Sequence, residues 1–172
     1  TLDGKGRKMS KSLGNTVDPE KLLKDHGVDG VRLWVAMSDY TQDLRLSQES
    51  LNTARDMYRK MRNTLRFMLG NFQDGAVTPK QPDRLPVLEA WLLDTLHTTN
   101  EAVRSAYEKG QFHKAMTLTH TFCAETLSNL YCDMRKDALY CDPENSPTRQ
   151  ASLYALSLCL DTCLAWMAPV FV

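Results

Sequence analysis

The 172-residue chain has the composition of an ordinary globular protein, with 42% hydrophobic and 24% charged residues. Its Lys+Arg and Asp+Glu totals are both 21, so the net charge is zero and gives no overall indication of nucleic-acid binding. Any such surface must come from local segregation of charge. No uninterrupted apolar run approaches the ~20 residues of a membrane span, which excludes a membrane-spanning protein.

The first 17 residues predict a turn or short hairpin that carries an exposed loop. They contain three glycines and lack a helical period, and Lys8-Met9-Ser10-Lys11-Ser12 is followed directly by Leu13-Gly14-Asn15. Lysine is a compact charge with three donors that suits phosphate, and glycines let a loop approach a ligand and swing open again. The pattern therefore favours a mobile loop that neutralises a polyphosphate, with an ordinary solvated loop as the alternative.

Two short helices and one long helix are predicted next. Asp18-Pro19-Glu20 is a strong helix start and Gly27 a helix end, after which residues 28–37 form a second short helix and residues 38–46 break the pattern. Ser47 then caps a long helix with an apolar stripe spaced alternately by three and four residues. The stripe consists of Leu51, Ala54, Tyr58, Met61, Leu65, Met68 and Phe72.

The remainder of the chain predicts a linker at residues 73–87 and three further long helices. The first is marked by Leu88, Leu92, Leu96, Val103 and Tyr107 and is closed by Gly110. The second runs from Phe112 to about Lys136, with Met116, Phe122, Leu127, Leu130 and Met134 as its apolar positions. The third is capped by Ser146, interrupted by Pro169, and faces inward at Leu153, Leu156, Leu160, Leu164 and Met167. We therefore predict an all-α fold: a loop and a short helical connector followed by an antiparallel helix bundle.

The cysteine pattern predicts reduced thiols and a cytoplasmic protein, because the number of cysteines is odd and no signal peptide is visible. They are Cys123, Cys132, Cys141, Cys159 and Cys163. Their spacings contain no CxxC pair, so we expect buried structural thiols and no metal site.

A row of arginines is the second candidate functional feature. Arg55, Arg59, Arg62 and Arg66 are spaced four, three and four residues apart, beside the apolar stripe, and Asn63 lies nearby. Such a row can follow a phosphate backbone, and guanidinium groups can stack on unpaired bases. The alternative is a solvated helix face.

Two sets of residues resemble a known family. Residues 8–12 followed by Gly14-Asn15 resemble the KMSKS loop of the class I aminoacyl-tRNA synthetases, which in that family closes over ATP during amino-acid activation. Leu33-Trp34-Val35-Ala36 with Asp39-Tyr40 resembles the isoleucyl members and separates them from the valyl and leucyl members. The similarity continues through residues 62–67, which look like the start of the anticodon-binding bundle, to residues 166–169, and covers essentially the whole chain.

The resemblance implies the end of a catalytic domain in residues 1–46 and an anticodon-binding helix bundle, truncated at its C-terminus, in residues 47–172. It implies that Lys8 and Lys11 are catalytic residues that stabilise phosphate. The residues expected to contact ATP are Lys8, Met9, Ser10, Lys11 and Ser12. The residues expected to contact tRNA are Arg55, Arg59, Arg62, Asn63 and Arg66.

The expected parent protein is a monomer that joins isoleucine to ATP, in the presence of Mg²⁺, and passes the aminoacyl group to tRNA. Both chain ends are expected to be cuts through this longer protein, and a zinc site is expected, if anywhere, beyond the C-terminal end. The chain lacks the family's His-Ile-Gly-His segment and nucleotide-binding sheet, so we expect it to be inactive alone. The alternatives are a valyl or leucyl enzyme fragment and a non-catalytic helical tRNA-binding module.

Overall fold

The computed structural model describes residues 2–72 and 79–171 and confirms the all-α prediction. The helices are α1 (Pro19–Met37), α2 (Gln48–Gly70), α3 (Val87–Glu108), α4 (Phe112–Thr121), α5 (Asp133–Tyr140) and α6 (Pro147–Met167), with a π-helical segment, Phe122–Cys132, joining α4 to α5. Two short strands, β1 (Leu2–Asp3) and β2 (Arg45–Leu46), form a parallel pair. The predicted linker at 73–87 lies partly outside the described residues, and its described part, 79–86, contains no helix.

The predicted helix starts are confirmed by their capping contacts. The Asp18 side chain accepts from the Glu20 backbone N–H, and Pro19 occupies the first turn of α1. The predicted break at Gly27 appears as a kink inside α1, where this residue has φ 74° and ψ 162°. Ser47 caps α2 through a reciprocal capping box with Ser50. These contacts are local, which is why the sequence pattern located them.

The long α2 helix buries the predicted apolar stripe against the rest of the bundle. Leu51, Ala54, Met61 and Met68 are buried, and the remaining members of the stripe are partly buried. Helix α1 packs on α2, and its Leu33 joins the same core as Ala54. The connector and the bundle therefore share one hydrophobic core.

The helix predicted from Phe112 to about Lys136 exists, but its apolar face differs from the prediction. The turn of the π-helical segment is wider than the 3.6 residues of an α-helix, and it buries Cys123, Leu127 and Tyr131 at intervals of four. Leu130 is 43% exposed and Met134 is 58% exposed, so these two apolar positions lie outside the core.

Helix α6 buries a face of small residues rather than its leucines alone. Ala151, Ala155, Cys159 and Cys163 are all at most 1% exposed, whereas Leu164 is 46% exposed and does not face inward as predicted. Small side chains at intervals of four let a neighbouring helix approach closely, so the buried face is centred on them.

Four of the five cysteines are buried thiols, as predicted. The Cys123 Sγ lies 3.9 Å from the Cys163 Sγ across the core. Burial raises the pKa of Cys132 to about 12 and raises that of Cys159 further. Cys141 is exposed, so its predicted burial was wrong, because it lies just beyond the end of α5 in the turn to α6.

A buried ionic network joins α3, the π-helical segment, α5 and α6. The Glu89 side chain has no solvent exposure. Its carboxylate accepts hydrogen bonds from Tyr131 Oη at 2.9 Å, Arg135 Nε at 2.7 Å, Arg135 Nη2 at 2.8 Å and Ser152 Oγ at 3.1 Å. The single proton of the Ser152 hydroxyl is shared with the Thr148 carbonyl at 2.8 Å, so Tyr131 and Arg135 supply the three full hydrogen bonds that offset the loss of hydration of this carboxylate.

Candidate functional site

The lysine-containing loop begins at a small strand pair. The Leu2 N–H donates to the Leu44 carbonyl at 2.7 Å, which attaches β1 to the segment that enters β2. Leu2 and Lys8 form an antiparallel bridge, so residues 3–7 make a tight hairpin, as predicted for this region. The entrance of the loop is therefore held on the body of the protein.

The Asp3 carboxylate organises this hairpin. Its Oδ1 accepts from the backbone N–H groups of Lys5 at 3.0 Å and Arg7 at 2.9 Å, and its Oδ2 accepts from Arg7 Nε at 3.0 Å and Asn15 Nδ2 at 3.1 Å. These hydrogen bonds, led by that of the Arg7 backbone, hold the pKa of Asp3 well below its usual range. Asp3 is therefore a carboxylate throughout the physiological pH range.

Asn15 connects the exit of the loop to its entrance. Its Nδ2 donates to the Lys8 carbonyl at 3.3 Å as well as to Asp3, and its Oδ1 accepts from the Ser10 N–H at 2.9 Å. The single amide therefore holds the backbone on both sides of Met9, as a neighbouring strand would. Asp3 and Asn15 together form what we term the loop clamp.

Between the two residues of the loop clamp the chain forms one turn of 3₁₀-helix, Lys11–Leu13. The Ser10 side chain caps this turn by accepting from the Leu13 N–H at 3.3 Å, and its hydroxyl lies 3.1 Å from that of Ser12. Gly14 ends the turn with φ 63°, a conformation that favours glycine. The backbone from Lys11 to Gly14 is thus regular and hydrogen-bonded.

The five residues predicted to contact ATP lie together on this loop. Lys8, Lys11 and Ser12 are exposed, whereas Met9 and Ser10 are partly buried. Two ammonium groups on a held backbone can interact with a polyphosphate from solvent.

The arginines predicted to contact tRNA lie on the solvent side of α2. At about 100° per residue, Arg55, Arg59, Arg62 and Arg66 fall within an arc of about 60°. The last three are exposed, and Arg55 is partly buried, with an Nε that is shielded from solvent and lacks a hydrogen-bond partner. We call these four residues the arginine row.

The arginine row lies between two grooves. On one side Arg62 lines a cavity of about 400 Å³ with Asp29 and Tyr58, whose hydroxyl donates to Asp29 Oδ2 at 2.9 Å. Burial and this hydrogen bond raise the pKa of Tyr58, so it remains a donor. On the other side Asn63 lines a groove of about 240 Å³ with Lys136. Asn63 therefore lies beside the row, on the side of the second groove.

The sequence interpretation missed the loop clamp. The available signals were an acid directly before the Gly4 turn and an amide directly after Gly14, since Asp and Asn side chains commonly bond nearby backbone groups. Neither signal identifies the other residue as its partner.

Two features are absent from the described residues. Among residues 2–72 and 79–171, no three or more His, Cys, Asp or Glu side chains group as metal ligands. In the same part of the chain no helix combines the length and apolar character needed to cross a bilayer.

Two family models match different parts of the chain. Residues 1–47 match the family described as tRNA synthetases class I (I, L, M and V). Residues 89–171 match the family described as anticodon-binding domain of tRNA ligase. Together with the lysine loop and the helical fold, these matches show that the chain belongs to the class I aminoacyl-tRNA synthetases.

Within this class the chain is similar to isoleucine--tRNA ligases. It is 41% identical to the enzyme of Thermoanaerobacter sp. (strain X514) over 98% of its own length, and 44% identical to that of Bradyrhizobium diazoefficiens over 99%. These relatives are isoleucine--tRNA ligases, in agreement with the isoleucyl interpretation. The chain spans only 18% and 17% of the length of these two relatives.

Solved structures confirm the fold. A Mycobacterium tuberculosis methionyl-tRNA synthetase in complex with methionyl-adenylate aligns with 99% of this chain and 35% of its own, at a TM-score of 0.73 and 24% identity. A LeuRS–tRNA–LeuAMS ternary complex from Agrobacterium radiobacter K84 aligns with 97% of this chain and 20% of its own, at a TM-score of 0.68 and 23% identity.

Proposed function

We propose that this chain is part of an isoleucine--tRNA ligase, in which it supplies the ATP-phosphate loop and the tRNA-binding bundle. The full-length ligase activates isoleucine with ATP, releases pyrophosphate and transfers the isoleucyl group to tRNA. The observation that carries this proposal is the lysine loop itself: two exposed lysines on a clamped backbone, in a chain 41% identical to isoleucine--tRNA ligases over 98% of its length.

In this proposal Lys8 and Lys11 act on the phosphates of ATP, which enters as its Mg²⁺ complex. Negative charge accumulates on the departing pyrophosphate as the adenylate forms. An ammonium group that meets this charge lowers the barrier more than it tightens substrate binding, because the interaction strengthens in the transition state. Met9, Ser10 and Ser12 shape the loop around the nucleotide.

The arginine row and Asn63 are proposed to bind tRNA. Arg59, Arg62 and Arg66 present exposed guanidinium groups along one helix face of a protein with zero net charge, so positive charge is concentrated locally. Asn63 lies beside this face and can contribute hydrogen bonds. Arg55 is the weakest member of this set, since it is partly buried.

The remaining features of the proposal concern the whole ligase. Residues 1–46 form the end of the catalytic domain and residues 47–172 the anticodon-binding bundle of a cytoplasmic, monomeric enzyme. The chain alone is proposed to be inactive, because two lysines do not orient both reactants and orientation supplies much of the rate.

The test is the Lys11→Ala variant of the full-length ligase, measured by isoleucine-dependent exchange of pyrophosphate into ATP. We expect kcat to fall about 10²–10³-fold, with the KM for isoleucine nearly unchanged. Lys5→Ala is the matched control, because Lys5 is an exposed lysine of the same hairpin outside the motif. A kcat within twofold of wild type for Lys11→Ala, or an equal loss for Lys5→Ala, would overturn the proposed role.

A further inference from the structure

Lys8 and Lys11 are placed by their backbone, because both side chains are exposed on the loop surface. A flexible lysine side chain can act on a chosen phosphate only if its Cα is correctly placed. Displacement of a catalytic group by about 1 Å can cost about 100-fold in rate. The groups that hold this backbone should therefore affect the rate of the reaction.

The loop clamp is the structure that holds it. Asn15 bonds the Lys8 carbonyl and the Ser10 N–H, so it fixes the backbone directly before the turn that carries Lys11. Asp3 is 9% exposed and bonds both Asn15 and the hairpin that precedes Lys8. Both ends of the loop are thus held at a single point.

We infer that Asn15, held by Asp3, is a positioning residue that sets the separation of Lys8 and Lys11 for one polyphosphate. This inference rests on the proposed function and adds two residues to it that act through the backbone of the loop. The inference requires a definite role for Asn15 in each hydrogen bond: it must donate to Asp3 and to the Lys8 carbonyl, and it must accept from Ser10. An amide provides both a donor and an acceptor, whereas a carboxylate provides acceptors alone.

The isosteric Asn15→Asp substitution tests this requirement in the full-length ligase. It places an oxygen where the amide nitrogen lies 3.1 Å from Asp3 Oδ2 and 3.3 Å from the Lys8 carbonyl oxygen, so both attractions become repulsions. We expect kcat of the pyrophosphate exchange to fall about 10- to 100-fold, with the KM for isoleucine within twofold of wild type.

Asn15→Ala separates reversal of the hydrogen bonds from their simple loss. It removes the amide without placing an oxygen against Asp3 Oδ2 and the Lys8 carbonyl. We expect Asn15→Ala to lose severalfold less kcat than Asn15→Asp, because no attraction becomes a repulsion. Circular dichroism melts of all variants establish that the fold is retained.

Asp18→Asn is the matched control, since Asp18 lies three residues from Asn15 and caps α1, where Asn and Asp are nearly equivalent. We expect its kcat to remain within twofold of wild type. The inference is overturned if Asn15→Asp keeps kcat within twofold, if Asp18→Asn loses as much, or if Asn15→Ala loses as much as Asn15→Asp. If Lys11→Ala loses its rate while Asn15→Asp does not, the clamp inference alone fails; if Lys11→Ala retains its rate, the proposed function fails first.

Discussion

Replacement of Glu89 by alanine should cost about 3–4 kcal/mol of unfolding free energy, although Glu89 lies far from both candidate sites in the sequence. The substitution removes one partner of a buried ion pair, which typically costs about 3–5 kcal/mol. It also leaves the hydroxyl of Tyr131, which is fully buried, without its acceptor, at about 1–3 kcal/mol.

Two features of the network moderate this loss. The Arg135 side chain is 18% exposed, so water can reach part of its guanidinium group when Glu89 is absent. The single proton of the Ser152 hydroxyl also has the Thr148 carbonyl as an acceptor, at 2.8 Å, so Ser152 is not left unpaired when Glu89 is absent. The cost of keeping the Glu89 carboxylate buried also disappears, so the separate losses do not add in full.

The measurement is urea denaturation of the chain at pH 7, followed by circular dichroism. With a slope of about 2 kcal/mol per molar urea, the midpoint should fall by about 1.5–2 M. Glu101→Ala is the control, because Glu101 is an exposed acid on the same helix, and it should change stability by less than about 0.5 kcal/mol. A loss below about 1 kcal/mol for Glu89→Ala would refute the view that this network stabilises the bundle.

The same network should make stability depend on pH with a definite sign. Burial alone raises the pKa of Glu89, but hydrogen bonds from Arg135 and Tyr131 outweigh it and leave the pKa below its usual value. The resulting stabilisation is complete above the unfolded pKa of about 4.3 and is lost as the pH falls through the lower folded pKa. The difference between wild type and Glu89→Gln should therefore be constant near pH 7 and shrink below about pH 4.

Two other predictions concern the thiols and the arginine row. A disulfide reagent should modify Cys141 rapidly in the native chain and the four other cysteines only after unfolding, because those four are buried; rapid modification of more than one thiol would contradict this. Replacing Arg62 and Arg66 by glutamine in the full-length ligase should weaken tRNA binding. It should also reduce the slope of the logarithm of the binding constant against the logarithm of salt concentration, by about 0.7–0.9 per lost phosphate contact. The control Arg104→Gln, at an exposed position of α3, should change neither quantity. Unchanged affinity and slope would identify the row as ordinary helix surface.

The sequence located those features whose causes are local. Ser47, Asp18 and Ser146 accept from backbone groups two or three residues further along the chain, so capping patterns are readable directly. The arginine row and the α2 stripe follow from one helical period. The lysine loop was identified from five consecutive residues and the Gly-Asn that follows them.

Features that depend on distant partners could not be read this way. Glu89 reads as an acid in the first turn of a helix, yet its partners Tyr131, Arg135 and Ser152 lie 42, 46 and 63 residues away. The wide π-helical turn shifts the buried face away from Leu130, and no periodicity of 3.6 residues anticipates it. The loop clamp was missed for a related reason: Asp3 and Asn15 are 12 residues apart in the sequence and come into contact only in the folded loop.

The proposed boundary between residues 46 and 47 separates two roles rather than two independently packed bodies. Strand β1, which holds the lysine loop, pairs with β2, and β2 leads directly into Ser47, the cap of the helix that carries the arginine row. The backbone of Gly4 approaches Ser47 so closely that a Cβ at this glycine would lie 3.4 Å from the Ser47 Cβ. The Trp34 indole N–H donates to Ser50 Oγ at 3.1 Å and joins α1 to the first turn of the same helix. The base of the loop and the start of α2 are therefore held together, which fixes the position of the proposed phosphate site relative to the proposed tRNA surface.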